Sequence, residues 1–215
     1  MRDAGYNAPM RIYATIGALA GWLALTLQLY LMLVVAPGRA MAVVSTVVTF
    51  FSFFTVLTNL LVALVFTFVA RQGEGGFFRR PGVQAAAAVY IAIVAISYHL
   101  LLRQLWNPQG GQLVADILLH SAMPAAYLLY WFLFGPRLGL QWKDALAWLA
   151  YPGGYLVYVL ARGAAIGVYP YPFVDVNLLG YDGVFLRAAI FLAAFLGMGL
   201  LVVAVARGTR GRVPV

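Results

Sequence analysis

Residues 44–70 read VSTVVTFFSFFTVLTNLLVALVFTFVA, an unbroken apolar run with no charged residue in it. A bilayer-spanning helix needs about 20 predominantly apolar residues, so this stretch reads as a membrane crossing. Its polar residues are not scattered. Thr46, Thr49, Ser52, Thr55 and Asn59 recur at spacings of three or four, which places them on one helix face. A lipid-facing helix has no use for such a stripe, because lipid offers its side chains no hydrogen-bond partner.

Five further runs of similar character flank it, at 12–36, 83–102, 113–134, 145–168 and 183–206. The chain has 215 residues, of which 64% are hydrophobic and only 9% charged. A soluble domain carries about 25% charged residues, so that class is excluded. The expectation is one all-α domain over 1–215, a polytopic membrane bundle of six transmembrane helices joined by short loops. The first run is too long for the apolar core of a cleaved signal peptide and reads as a retained helix. Within it, Gly17 and Gly21 have the small-xxx-small spacing that lets helices approach closely. Packing inside the bundle is the simpler use of that spacing, and a dimer contact is the other.

The net charge of +8 is spread over loop ends, which argues against a nucleic-acid-binding surface. With the N-terminus in the cytoplasm, the inner side carries Arg2, Arg11, Arg71, Arg79, Arg80, Arg137, Lys143, Arg207, Arg210 and Arg212. The other side carries Arg39, Arg103, Arg162 and Arg187. Ten against four favours both termini inside by the positive-inside rule. Pro37-Gly38 should end the first helix, and Gly135-Pro136 the fourth. With no cysteine in the chain, thiol nucleophiles, thiolate metal sites and disulfides are excluded.

Polar residues also recur on the other helices. Gln28 lies in the first. Gln112, Asp116 and His120 follow one another at every fourth position of the fourth, ahead of Pro124. Tyr151, Tyr155, Tyr158 and Arg162 recur at spacings of three or four on the fifth, and His99 and Arg103 are one turn apart on the third. Ionisable residues inside a membrane are candidate functional residues by default. At 1.5 Å per residue, Thr55 lies roughly 15 Å and His120 roughly 10 Å from the outer boundary. Together these faces should line a pocket open to the non-cytoplasmic side, suited to a long apolar ligand with one polar group. Each residue also has a plainer use. Thr55 can bond the carbonyl of Phe51 one turn back, His120 can bond a neighbouring helix, and the arginines can snorkel. The loop Val168-Tyr169-Pro170-Tyr171-Pro172-Phe173 reads both as an interfacial aromatic belt and as a cover over the pocket.

Three segments resemble one family when taken together. They are Phe53-Phe54-Thr55-Val56-Leu57-Thr58-Asn59-Leu60, His120-Ser121-Ala122-Met123-Pro124, and Tyr155 to Arg162 followed by the aromatic loop. Their order and placement resemble the androgen-induced protein family of six-span membrane proteins, most of all its bacterial members. The resemblance implies an integral protein of the bacterial inner membrane. It also implies a threonine hydrolase of lipid esters, such as fatty acid esters of hydroxy fatty acids. Thr55 matches the nucleophile of that family and His120 its base. Thr58 stands where the family pattern has an acidic residue, and the step from His120 to Pro124 is one residue shorter than in animal members.

The chemistry implied is a hydroxyl activated by a neutral histidine. Asn59, Ser52 or Arg162 would stabilise the oxyanion and Asp116 would orient His120, with Gln28, His99, Arg103, Tyr155 and Tyr158 as pocket or supporting residues. The expected partners are membrane lipids and a lipid-like ester, without nucleic acid, cofactor or metal. Two other readings stay open: a haem protein with His99 and His120 as axial ligands, and a non-enzymatic carrier or receptor for a small apolar molecule.

Overall fold

A computed structural model describes residues 8–35, 40–71 and 76–209, and every regular element among them is helical. Arg2, Arg39, Arg210, Arg212 and the Pro37-Gly38 stop lie outside the described residues.

The first helix, α1 (Ala8–Val35), packs mainly on the second apolar run. Gly17 and Gly21 are used inside the bundle. A Cβ on Gly17 would stand 2.7 Å from the Phe66 ring, and one on Gly21 would stand 3.0 Å from Met123 and 3.1 Å from Ala63. The small residues therefore set how closely the two helices approach.

The second run corrects the expectation of one straight helix over 44–70. It forms α2 (Ala40–Phe50) and α3 (Phe54–Ala70), bent by 70° at the break. No proline or glycine stands there. The last turn of α2 tightens, with Ser52 and Phe53 N–H donating three residues back to Thr49 and Phe50 carbonyls. Phe53 is then extended (φ −86°, ψ 126°). Side chains stabilise the break. The Ser52 hydroxyl donates to the Val48 carbonyl at 2.7 Å, and the Tyr155 hydroxyl caps the Ser52 carbonyl at 2.9 Å. A broken membrane helix is tolerated where its freed backbone groups are re-satisfied in this way.

Next, α4 (Pro81–Ser97) is the central helix, in contact with α3, α6 and α9. Ala85, Ala86, Ala87 and Ala88 are all buried, because methyl-sized side chains let three neighbours close on it. It continues through a π turn (Tyr98–Leu102) into a 3-10 turn (Arg103–Leu105). The fourth run is likewise interrupted: α5 (Gly110–Ile117) passes through a π turn (Leu118–Ala122) into α6 (Met123–Phe134).

The fifth run divides into α7 (Trp142–Ala147) and α8 (Ala150–Ile166). At 17 residues, α8 spans only about 25 Å of a hydrocarbon core of about 30 Å. Gly167 ends it in the left-handed region (φ 73°). The aromatic loop, with a 3-10 turn at Pro172–Val174, leads to α9 (Val176–Gly208), which is interrupted at Gly180 (φ 65°, ψ 169°).

Among the described residues, four stretches are thus long and apolar enough to cross a membrane: α1, α4 with its extension, α5 with α6, and α9. The bent α2–α3 pair makes five. The protein is an all-helical integral membrane protein by this criterion.

Candidate functional site

The irregularities of the helices converge on one place. The α2–α3 break, both π turns and the aromatic loop surround a cavity of about 440 Å³. Its polar lining comprises Gln28, Thr55, Tyr98, Gln112, Asp116, His120 and Tyr171, and its apolar lining includes Met32, Phe53, Val56, Leu102, Leu105 and Leu119. Four residues expected from sequence to share a pocket (Gln28, Thr55, Asp116 and His120) therefore do so.

His120 is fixed from three directions. Its Nδ1 lies 3.1 Å from the Asp116 backbone carbonyl and 3.1 Å from Asp116 Oδ1. The Tyr98 ring stacks on the imidazole, with centroids 3.9 Å apart and planes at 13°. The Tyr98 hydroxyl in turn donates to Asp116 Oδ2. The carboxyl thus receives the phenol O–H on Oδ2, with Oδ1 close to the imidazole but without a hydrogen bond of its own, and the Asp116 backbone carbonyl, which can only accept, is the partner of Nδ1. This arrangement favours the tautomer with the proton on Nδ1 and leaves Nε2 as the basic nitrogen. Both π turns matter here. Each inserts an extra residue into its helix, so Tyr98 and His120 depart from the register of a regular helix. Such bulges are frequent at functional sites.

Thr55 stands in the first turn of α3, directly after the break. The plain expectation, a bond to the Phe51 carbonyl, is corrected, because Phe51 no longer lies one helical turn back. The first N–H groups of a helix have no intrahelical partner, and no side chain caps α3. The N–H of Thr55 instead donates to the Tyr171 hydroxyl at 3.3 Å. Tyr171 is held by stacking on Phe173 (5.0 Å, 9°) and an edge contact with Phe53 (5.9 Å). Burial pushes its phenol above the ordinary range, so it remains a protonated donor at neutral pH. The aromatic loop thus covers the site with a buried tyrosine that reaches the candidate nucleophile.

Other expected site residues serve differently. Asn59 does not line the cavity. Its Nδ2 donates to the Thr55 carbonyl at 2.9 Å and to the Leu119 carbonyl at 3.1 Å. It therefore ties the strand of backbone bearing Thr55 to the π turn bearing His120. Ser52 is spent on the break, and Tyr158 meets its hydroxyl at 2.8 Å. Tyr155 supports the same break through the Ser52 carbonyl and lines a separate apolar cavity. Arg162 donates to Thr49 Oγ1 at 3.1 Å, outside the cavity lining. These contacts correct the assignment of Asn59, Ser52 or Arg162 as oxyanion donors: the donor hydrogens of Asn59 and Ser52 are engaged, and Arg162 stands outside the cavity lining. His99 is exposed, bonds Ser121 at 3.1 Å, and does not share the cavity with His120. Arg103 is exposed as well, although its charge acts on Asp116 and Tyr98.

Sequence reading missed Tyr98 and left Gln112 out of the site. Gln112 shared the four-residue spacing of Asp116 and His120 and was in that sense legible. Tyr98 gave no signal, because only the π turn brings it onto the imidazole.

Behind Thr55 lies a smaller, almost wholly apolar cavity of about 80 Å³, walled by Phe54, Ile93, Val94, Phe191, Leu192 and Phe195 among others. Thr55, Leu102 and Tyr171 belong to both walls and so form the seam between a polar and an apolar chamber. Among the described residues, no cluster of three or more His, Cys, Asp or Glu side chains could hold a metal ion. No protein-family model, curated protein or solved structure matches this chain.

Proposed function

We propose that the protein is a membrane-embedded hydrolase of lipid esters, with Thr55 as nucleophile and His120 as general base. One observation carries the reading. Thr55 and His120 open into the same cavity, with His120 Nδ1 engaged by Asp116 so that Nε2 is the nitrogen left to accept a proton. A threonine hydroxyl attacks only when a neighbouring base takes its proton. In the first step Thr55 Oγ1 bonds to the ester carbonyl carbon, and its proton passes to His120 Nε2. The carbonyl oxygen becomes an oxyanion. The carbon–oxygen bond to the alcohol then breaks, and the departing oxygen takes the proton from His120. Water, deprotonated by the same nitrogen, attacks the acyl-threonine, and Thr55 leaves with its proton restored.

The oxyanion falls to the Tyr171 hydroxyl, whose oxygen accepts from the Thr55 N–H and whose proton is its own to donate. It is fixed before substrate arrives and lies where water is scarce, the condition under which such a donor is most effective. The apolar chamber behind Thr55 takes an acyl chain.

The membrane arrangement belongs to the same reading. In this reading the chain crosses a bacterial inner membrane six times, counting α2–α3 and α7–α8 as one each, with both termini in the cytoplasm and the cavity open to the opposite side. The basic residues support this orientation.

Labelling of the purified protein with a fluorophosphonate, followed by peptide mapping, tests the assignment. A modified Thr55, with labelling lost in His120→Ala, is the expected result. Turnover of an ester substrate with label on another residue would overturn the nucleophile. Failure to turn over any ester would favour a carrier.

A further inference from the structure

Two glutamines face each other in the cavity. Gln112 Nε2 donates to Gln28 Oε1 at 2.9 Å, joining α1 to α5. This bond uses one donor hydrogen and part of one acceptor. Amide groups that remain exposed to the cavity then offer both N–H and C=O to a ligand. The pair offers both kinds whichever way the amides are turned.

The charges around the cavity point the same way. Among the described residues lining it, none is Lys or Arg, and the only ionised acid is Asp116. Of the nearby cations, Arg103 is outside the lining and its charge already acts on Asp116. Arg162 is bound to Thr49, and Arg187 lies along a different groove and donates to the Gly183 carbonyl. A carboxylate or phosphate head entering here would be desolvated beside a like charge with no cation to pair with, which is strongly unfavourable. Hydroxyl groups, each a donor and an acceptor, meet no such penalty.

Distance sets the size of the head. Gln112 and His120 are eight residues apart in the chain, which is about 12 Å along a helix axis. A hydroxyl directly beside the ester would not bridge that interval. A sugar-sized group joined to the ester through a short linker would.

We infer that the substrate is an ester lipid with an uncharged, hydroxyl-rich head of about sugar size, recognised by Gln28 and Gln112. The inference rests on the hydrolase reading, and it departs from the carboxylate-bearing substrates that the family resemblance implied.

Two diacyl lipids with the same acyl chains provide the test, because the reacting ester is identical and only the head differs. One is a monogalactosyl diacylglycerol, which is neutral. The other is phosphatidylglycerol, which is anionic. With purified protein in neutral detergent micelles, kcat/KM for the galactosyl lipid should exceed that for phosphatidylglycerol by tenfold or more. Gln112→Leu should reduce this ratio by about tenfold. Gln112→Arg should invert it by supplying the missing cation. Equal turnover of the two lipids, a preference for the anionic one, or an unchanged ratio in both variants would overturn the inference. Release of acyl chains by wild type but not by Thr55→Ala, in the same assay, reports on the hydrolase reading separately. No release from any lipid would remove both.

Discussion

The two ends of α4 both bury polar groups, and they treat them in opposite ways. At its start, Gln84 is fully buried and sealed. Its Nε2 donates to the Arg79 carbonyl at 3.3 Å. Its Oε1 accepts from the Tyr130 hydroxyl at 3.0 Å, and its backbone carbonyl from the Tyr127 hydroxyl at 3.1 Å. Phe66 packs edge-on against both tyrosines at 5.3 Å and 5.2 Å. The α-helices there run without a break, α4 being entered from a 3-10 turn at Phe77–Arg79, and none of these residues lines a described cavity. At the other end, α2–α3 is broken, two helices pass through π turns, and the polar groups open into a cavity. Asn59 Oδ1 is left buried without a partner. The Gln84 network spends its polar groups on stability, although the neighbouring Trp131 Nε1 is buried without a partner; the cavity end leaves hydrogen-bonding capacity open to a ligand. Unspent capacity in a low-dielectric site is what binding and catalysis require.

If that contrast is functional, substitutions at the open end should remove turnover without unfolding the protein. The largest effect belongs to Thr55→Ala and His120→Ala, each expected to lower kcat for ester hydrolysis by roughly a thousandfold or more. The two residues act as a unit, so the double variant should be little worse than either single one. Thr55→Ser keeps the hydroxyl and should retain part of the activity. Thermal unfolding in detergent should be close to wild type for all of them. Additive losses in the double variant would mean that the pair does not share one step.

Tyr171→Phe comes next. The ring keeps its stacking on Phe173 and its contact with Phe53, and only the hydroxyl at Thr55 is lost. Loss of one oxyanion donor is worth about 10² in kcat, with little change in KM. A rise in KM with kcat intact would instead make Tyr171 a lid residue that merely closes the cavity.

How much of this was legible follows the same division. Depth and polarity were readable, because the length of an apolar run and the rise per residue place a polar side chain even where the helix is locally irregular. Gln28, Thr55, Asp116 and His120 line one cavity as expected, although Thr55 follows a break and His120 stands in a π turn, and Gly17 and Gly21 are used within the bundle. The breaks were not readable. Phe51-Ser52-Phe53 contains no proline or glycine, and what holds it open comes from Tyr155 and Tyr158, about a hundred residues later in the chain. A π turn changes register without changing composition, so Tyr98 could not be placed. Asn59, Ser52 and Arg162 were misassigned for a related reason. Periodicity tells which residues share a face, and not which hydrogen bonds those side chains already make.

Asn59 tests the link between the breaks and the chemistry. Its amide joins the Thr55 carbonyl to the Leu119 carbonyl, so Asn59→Leu should loosen the spacing of nucleophile and base. A tenfold fall in kcat, on the order of the loss expected from a small misplacement of reacting groups, should come with destabilisation of about 1–3 kcal/mol from the abandoned carbonyls. The two readouts separate positioning from folding. Destabilisation with kcat unchanged in the folded fraction would make Asn59 a strut alone.

The smallest effect on turnover is expected at the sealed end. Gln84→Leu conserves much of the side-chain volume and deletes both amide groups. The Tyr130 hydroxyl loses its acceptor and the Arg79 carbonyl loses a donor. A buried group left unpaired costs about 1–3 kcal/mol, so the unfolding midpoint in detergent should fall. The cavity lies at the far end of α4, beyond a run of close-packed alanines, and kcat and KM at permissive temperature should be those of wild type. Adding Tyr130→Phe removes the hydroxyl that had donated to Gln84 and should recover part of the lost stability, since removing both partners of a buried bond costs less than removing one. A marked loss of kcat in Gln84→Leu, with the protein still folded, would break the contrast at its root. The two ends of α4 would then be coupled, and the sealed network would have to be counted as part of the site.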